Sequence, residues 1–327
     1  MTSGEVQVEA HRPGDSAEHR PVVKRQPVLL EEDQRAPQLG RFAASRIYQA
    51  DPVARFLFET LKLSPLTLAL ATIAWSLLYL FILPSVLACL RSSGAFLGSL
   101  DDWHAQVLLL MLFPITCAFY LWQPKAIASV YDAILAGRMS PDVGRLYRRG
   151  LWWHLSLLFG LAIIVFDVPK MVAGYGSWWM AHNWLTIAGR EASLSLAFYM
   201  VSMMAWRQLV ATSEWRRLLE TSSTRAAVRS VTRYGLSFCF LLALFGLRLS
   251  IEGIELPRRS GAFTPDYFVK IGLYVALSLT CFFAPLYGVW RDGTRVSYDW
   301  LATLLQLAGI VALPLLGFVL LRVALGM

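Results

Sequence analysis

Residues 65–89 read PLTLALATIAWSLLYLFILPSVLAC, an apolar stretch of 25 residues that contains no charged side chain. An α-helix rises about 1.5 Å per residue, so about 20 such residues cross the hydrocarbon core of a bilayer, which is about 30 Å thick. This stretch therefore predicts a membrane-spanning helix. Because about 60 mostly polar residues precede it, we interpret it as a permanent span and not as a cleavable signal peptide.

The rest of the chain repeats this pattern six times. Of the 327 residues, 56% are hydrophobic and 16% are charged, whereas about 25% are charged in ordinary soluble domains. No ten-residue segments alternate between apolar and polar residues, so the expected fold class is all-α, a polytopic helical bundle with seven transmembrane helices. Asp167, Arg207 and Arg248 lie inside or at the rims of three segments, which leaves six spans as an alternative. The further spans are predicted at 104–122, 151–169, 192–210, 234–251, 267–290 and 300–322.

The distribution of basic residues predicts the orientation. Nine Lys and Arg residues precede the first span, and the successive loops then carry 1, 5, 2, 6, 2 and 2. Cytoplasmic segments hold the excess of Lys and Arg. We therefore expect a cytoplasmic N-terminus, an external C-terminus and a multi-pass protein of the plasma membrane. Most of the net charge of +8 comes from these Lys and Arg residues. The sequence contains no basic soluble module of the kind that binds nucleic acid.

Three regions are expected along the chain. Residues 1–40 hold few large apolar side chains, which predicts a disordered cytoplasmic tail. Residues 41–63 predict an amphipathic juxtamembrane helix, because Asp51 can cap a helix whose first residue is Pro52. Residues 64–327 form the seven-helix transmembrane domain. Helical patterns also continue into the two longer cytoplasmic loops, through Tyr131 and Trp215.

Several ionisable residues lie at one level near the outer ends of the predicted spans. Charged groups inside a membrane are costly and are functional candidates, and Asp167 and Arg248 can pair across helices. We interpret the set as the lining of an outward-facing ligand pocket; snorkelling at the interface is the alternative. The candidates are Asp167, Arg248, Glu252 and Lys270.

An aromatic loop follows the third span. Indole rings attract cations, so this loop can close over the same pocket; an interfacial aromatic belt is the alternative. The candidate ligand-binding residues in it are Trp178, Trp179 and His182.

Signatures of catalysis and cofactors are missing from the sequence. It has no Walker loop, dinucleotide fingerprint, HExxH or GxSxG motif, and its outer Asp and His residues lack metal-ligand spacing. We expect no enzyme activity, no cofactor and no metal site. Gln306 is the one amide well inside the seventh span, which makes it either an interhelical hydrogen-bonding residue or a pore residue.

The predicted topology resembles that of the insect gustatory and odorant receptors. Those receptors share seven helices, a cytoplasmic N-terminus, short outer loops and helical cytoplasmic extensions. Their last helix carries Thr-Tyr, five apolar residues and Gln-Phe; here Ser297 and Tyr298 are followed by seven residues and then by Gln306 and Leu307. The resemblance implies a tetrameric ligand-gated cation channel whose seventh helix lines a central pore.

The sequence thus predicts a receptor-like membrane protein, in the form of a ligand-gated cation channel with an outward-facing pocket. The expected partners are the bilayer, a small-molecule ligand or ion, and further copies of the chain in a homotetramer. A small-solute transporter and a structural or assembly subunit of a membrane complex are the alternatives.

Overall fold

The structure is a computed structural model in which 95% of the residues that can be described are helical, and none of these residues forms a strand. The described residues are 45–48, 50–83, 85–86, 102–135, 151–172, 184–221, 224–260, 266–291 and 298–324. The predicted tail, residues 1–40, lies outside them.

The helices are labelled in chain order. They are α1 (Ser45–Tyr48), α2 (Pro52–Arg55), α3 (Pro65–Leu77), α4 (Trp103–Gln106), α5 (Phe113–Leu135), α6 (Leu151–Val172), α7 (Trp184–Thr221), α8 (Arg225–Ser260), α9 (Asp266–Phe283), α10 (Tyr287–Arg291) and α11 (Trp300–Ala324). Short π-helical turns continue α2 and α3 and join α4 to α5; they comprise Phe56–Thr60, Leu78–Ile82 and Val107–Leu112. A 3₁₀ turn, Ala284–Leu286, joins α9 to α10.

Within the described ranges, seven helical segments are long and apolar enough to cross a membrane, which confirms the predicted number of seven. They are Pro65–Ile82, Val107–Leu135, Leu151–Pro169, Trp184–Glu220, Arg225–Ile251, Phe268–Val289 and Trp300–Ala324. The second, fourth and fifth segments run beyond the predicted spans because the helical patterns of the adjoining loops continue the same helices.

These three long helices, α5, α7 and α8, form the centre of the bundle. About half of each of their segments is buried, whereas α3, α6 and α11 are mostly exposed. α6 packs on α7, α3 on α5, and both α9 and α11 on α8. Where α5, α7 and α8 extend past the predicted spans, an aromatic core holds them together. It contains Tyr131, Trp215 and Tyr234, with the Trp215 ring 5.0 Å from Tyr234 and 5.9 Å from Tyr131.

The segment before the first span folds back onto this bundle. In the range predicted as one juxtamembrane helix, α1 and α2 are separate, and Asp51 lies between them. Its side chain accepts hydrogen bonds from the backbone N–H groups of Val53 and Ala54, so it caps α2 as predicted. After the π-helical turn, Lys62 adopts the left-handed conformation with φ of 49°, which redirects the chain, and Ser64 then caps α3.

Two glycines allow α7 to approach its neighbours closely. A Cβ atom on Gly160 of α6 would lie 2.6 Å from the carbonyl oxygen of Ser195 on α7. On α7 itself, a Cβ atom on Gly189 would overlap the ring of Tyr79. Small residues at such crossings let the backbones pack directly, as is common between membrane helices.

Replacing Gly160 by Leu is expected to force α6 away from α7. Overpacking of this kind costs about 1–3 kcal/mol, and here the obstructing atom belongs to the backbone, which cannot rotate aside. Thermal unfolding of the detergent-solubilised protein should show a lower midpoint for Gly160→Leu. The matched control is Gly272→Leu on α9, where a Cβ atom meets nothing within 4 Å. Equal midpoints for the two variants would contradict the proposed contact.

Candidate functional site

The candidate functional site is a cluster of charged side chains centred on Arg190 of α7. The guanidinium group contacts the carboxylate of Asp167 on α6 and donates a 2.6 Å hydrogen bond to Glu191. The side chains of Arg190 and Glu191 are only 12% and 4% exposed, and that of Asp167 is 28% exposed. The contact with Asp167 joins α6 to α7 near one end of the bundle, which we call the Arg190 end.

Two further charged groups act on Arg190. Asp102, which precedes α4, lies close enough to attract the Arg190 guanidinium group, and Arg248 of α8 lies close enough to repel it. Arg190 thus interacts with three carboxylates and with one further guanidinium group, so these five side chains carry one more negative than positive formal charge. One oxygen of Glu191, Oε2, is buried and has no hydrogen-bond partner. An unsatisfied buried carboxylate oxygen is costly, so it marks a place where a cation, a proton or a donor group binds favourably.

Residues around the cluster fix the position of α7 relative to the first span. Next to Arg190, Gly189 lies against the ring of Tyr79, as described above, and its carbonyl oxygen accepts a hydrogen bond from Ser193. The Ser193 hydroxyl in turn accepts a 2.9 Å hydrogen bond from the indole of Trp75 on α3. Arg190 is thus positioned by direct contacts of α7 with the first span.

The structure brings together part of the predicted ligand-binding set. Asp167 and Arg248 lie in the same cluster, but the described contact of Asp167 is with Arg190. Lys270 is half-buried near the start of α9. The side chain of Glu252 lies outside the described residues. So do Trp178, Trp179 and His182.

Gln306, the predicted pore residue, is exposed on α11. It lines a mostly apolar groove of about 530 Å³ between α5, α8 and α11, together with Phe119, Phe240 and Ile310. Among the described side chains, no group of three or more His, Cys, Asp or Glu residues is arranged to hold a metal ion.

A second charged network lies further along α7, at what we call the Asp51 end of the bundle. Asp51 is fully buried, and its Oδ2 atom accepts 2.5 Å hydrogen bonds from Nη2 of Arg207 and from the hydroxyl of Tyr120. Its Oδ1 atom accepts a 2.6 Å hydrogen bond from the hydroxyl of Tyr199. Arg207 also donates to the carbonyl oxygen of Tyr120 and lies 4.6 Å from the centre of that ring.

Neighbouring polar groups extend this network. Tyr48 of α1 donates a 2.7 Å hydrogen bond to the carbonyl oxygen of Leu121. Burial raises the pKa of Tyr48 to about 12, so its hydroxyl stays protonated and keeps donating at any physiological pH. Deeper in the bundle, Gln123 donates to the hydroxyl of Tyr234, which donates to Oε1 of Gln208. Residues from α1, α2, α5, α7 and α8 are thereby tied together.

The sequence alone did not identify Arg190 and Glu191 as site residues. The fourth span was predicted to start at residue 192, which left both in an outer loop. The signal that could have found them is the apolar pair Leu185 and Ile187 just before them, because a helix that includes these residues places Arg190 inside the span. For Arg207, nothing local in the sequence indicates that its partner is Asp51.

Compared with known proteins, the chain matches no family model, and no curated protein or solved structure is significantly similar to it. Its function is therefore inferred from the residues and contacts described above.

Removing the charge of Asp51 is expected to destabilise the protein strongly. Asp51→Asn keeps a capping oxygen for α2 but leaves the Arg207 guanidinium buried without a carboxylate. Breaking one partner of a buried ion pair costs about 3–5 kcal/mol, so the thermal unfolding midpoint in detergent should fall sharply.

The double variant Asp51→Asn with Arg207→Met should recover much of this loss, because neither charge is then buried alone. Glu59→Gln is the control. It breaks the exposed pair with Arg55 in the same segment, and such surface pairs contribute about 0–1 kcal/mol. If the unfolding midpoint fell as far in Glu59→Gln as in Asp51→Asn, the buried pair would not be the stabilising interaction.

Proposed function

We propose that this chain is a receptor-like integral membrane protein that binds a small cationic group at the Arg190 cluster and transmits the binding along α7. We further propose that its N-terminus and the Asp51 end face the cytoplasm, that it resides in the plasma membrane, and that a homotetramer forms a ligand-gated cation channel. The observation that carries the proposal is the continuity of α7 between two buried charge networks.

The distance between the two networks suits transmission across a bilayer. Arg190 and Arg207 are 17 positions apart on one uninterrupted helix, which corresponds to about 26 Å at the α-helical rise. Each is buried in contacts with other elements. A change in the position of α7 at the Arg190 end would therefore act on the contacts that hold α1, α2 and α5 at the Asp51 end.

The charges favour a cationic ligand. Among the five groups of the Arg190 cluster the carboxylates are in excess, and Oε2 of Glu191 is buried without a hydrogen-bond partner. An ammonium group has three N–H donors and one positive charge, which satisfies that oxygen and balances the excess. The proposed outward orientation of this end, which follows from the basic residues, would expose the cluster to external ligands.

The cation-channel part of the proposal is supported by the topological resemblance to insect chemoreceptors and by α11. This helix packs on α8 through one face, while most of its large apolar side chains are exposed. In a tetramer this apolar face would line the axis, where hydrophobic constrictions can gate ion flow.

A transporter is the second candidate, and the same oxygen of Glu191 favours it. Buried carboxylates act as proton carriers in many transporters. The discriminating measurement is uptake into proteoliposomes under a proton or cation gradient. Accumulation of a solute above its external concentration would favour the transporter, because a channel cannot sustain it.

Small ammonium compounds are expected to stabilise the purified protein against heat, and Glu191→Gln is expected to weaken that effect. The substitution preserves the shape of the side chain but removes the negative charge. We would titrate primary ammonium compounds, which carry three N–H donors, against neutral alcohols of the same size, following the unfolding midpoint. The apparent affinity for ammonium should fall at least about tenfold in Glu191→Gln, since a charged hydrogen bond contributes about 1.5–3 kcal/mol.

Glu214→Gln is the matched control, because Glu214 lies on the same helix, away from the cluster, and pairs with the exposed side chain of Arg217. It should bind ammonium as the wild type does. Equal stabilisation by the neutral alcohols, or an unchanged affinity in Glu191→Gln, would refute the proposed site.

The proposed channel predicts a discrete tetramer after solubilisation. Light scattering corrected for detergent should give four times the chain mass of 36.7 kDa, and planar bilayers containing the protein should conduct cations when ammonium ligand is added. If the protein is a stable monomer and the bilayers do not conduct, the channel is refuted. The uptake assay described above is then the next measurement.

A further inference from the structure

The strongest unassigned feature is a basic groove at the Asp51 end, between α5 and α8. It encloses about 1070 Å³ and is lined by Lys125 of α5 and by Arg225, Arg229 and Arg233 of α8. The three arginines recur every four residues and therefore project from one face of the helix. Serine hydroxyls and the indole of Trp122 complete its polar lining.

Among the described residues, no acidic side chain pairs with the four cations of this groove. In the described part of the chain, none of them forms an ion pair, and no acidic residue lines the groove. Other exposed arginines differ, since Arg216 and Arg217 pair with Glu220 and Glu214 on their own helix. Four unbalanced cations in one concave site favour a ligand that carries several negative charges.

A second, mostly apolar groove continues from the basic one. It is the groove of about 530 Å³ between α5, α8 and α11 that contains Phe119, Phe240 and Gly309. Ser237 lines both grooves, and the ring of Phe119 in the apolar groove lies 5.2 Å from that of Trp122 in the basic groove. The arginine face of α8 thus leads through Ser237 to Phe240 and into the predicted membrane-spanning part of that helix.

We propose that the two grooves together bind an anionic phospholipid, with a headgroup that carries more than one phosphate in the basic groove and an acyl chain in the apolar groove. The phosphates accept hydrogen bonds from the arginines and Lys125, while the chain packs along α8 and α11. A free phosphate compound shares the headgroup chemistry but leaves the apolar groove empty. The proposed cytoplasmic orientation places the site in the leaflet where anionic lipids are enriched.

The test compares a lipid with its soluble headgroup. The purified full-length chain would be titrated with phosphatidylinositol bisphosphate, phosphatidylcholine, inositol trisphosphate and inorganic phosphate, and native mass spectrometry would count the bound molecules. We expect the bisphosphate lipid to bind more tightly than phosphatidylcholine and also more tightly than either soluble compound.

Two pairs of variants separate the headgroup from the acyl chain. Arg229→Gln with Arg233→Gln should weaken the binding of both the bisphosphate lipid and inositol trisphosphate by about tenfold or more, since each basic residue attracts the anionic headgroup. Arg216→Gln with Arg217→Gln removes the same charge outside the groove and should have little effect.

Gly309→Phe adds a ring at the apolar groove, at a position where a Cβ atom meets nothing within 4 Å. It should weaken the binding of the lipid but not the binding of inositol trisphosphate. Gly272→Phe, equally unobstructed on α9, should change neither. The proposal is overturned if both arginine pairs have equal effects, or if inositol trisphosphate binds as tightly as the lipid and Gly309→Phe changes nothing.

Discussion

The carboxylate of Asp51 is fully buried and accepts hydrogen bonds from five donors: two backbone N–H groups of α2, Tyr120 of α5, and Tyr199 and Arg207 of α7. A buried carboxylate without such partners would cost several kcal/mol. The segment before the first span is thereby tied to the centre of the bundle. The positions of α2, α5 and α7 relative to one another depend on this one charge.

The two charge networks on α7 differ in how completely they are satisfied. At the Asp51 end, the carboxylate has all of its partners and no exposure, which is the arrangement expected of a group that fixes the fold. At the Arg190 end, Glu191 retains a buried oxygen without a partner, and Asp167 is still partly exposed. Among the described acidic side chains, Glu191 is the one with a buried oxygen that lacks a hydrogen-bond partner. Such an oxygen gains most from a bound cation or donor, and this is why the Arg190 end is the candidate site.

Local patterns in the sequence were sufficient for the number of spans and for the cap at Asp51, since hydropathy and capping both depend on residues that are near one another in the chain. The continuation of α5 through Tyr131 and of α7 through Trp215 was also visible as helical spacing. The partner of Arg207 was not, because it lies 156 residues away and no local rule selects it. Arg190 was missed for a different reason: the helix begins about two turns before the uncharged part of the span, so hydropathy placed its start too late.

The same separation of 156 residues has a consequence for how the chain is made. Translation proceeds at about 5–20 residues per second, so roughly 8–30 seconds pass between synthesis of Asp51 and synthesis of Arg207. During that time the ribosome completes three spans and most of a fourth, while the acidic group has no basic partner from α7. Until then, Tyr120 of α5 and the backbone N–H groups of α2 are the described donors made early enough for the carboxylate, so the buried ion pair that completes the docking of the juxtamembrane segment forms only after most of α7 has been synthesised.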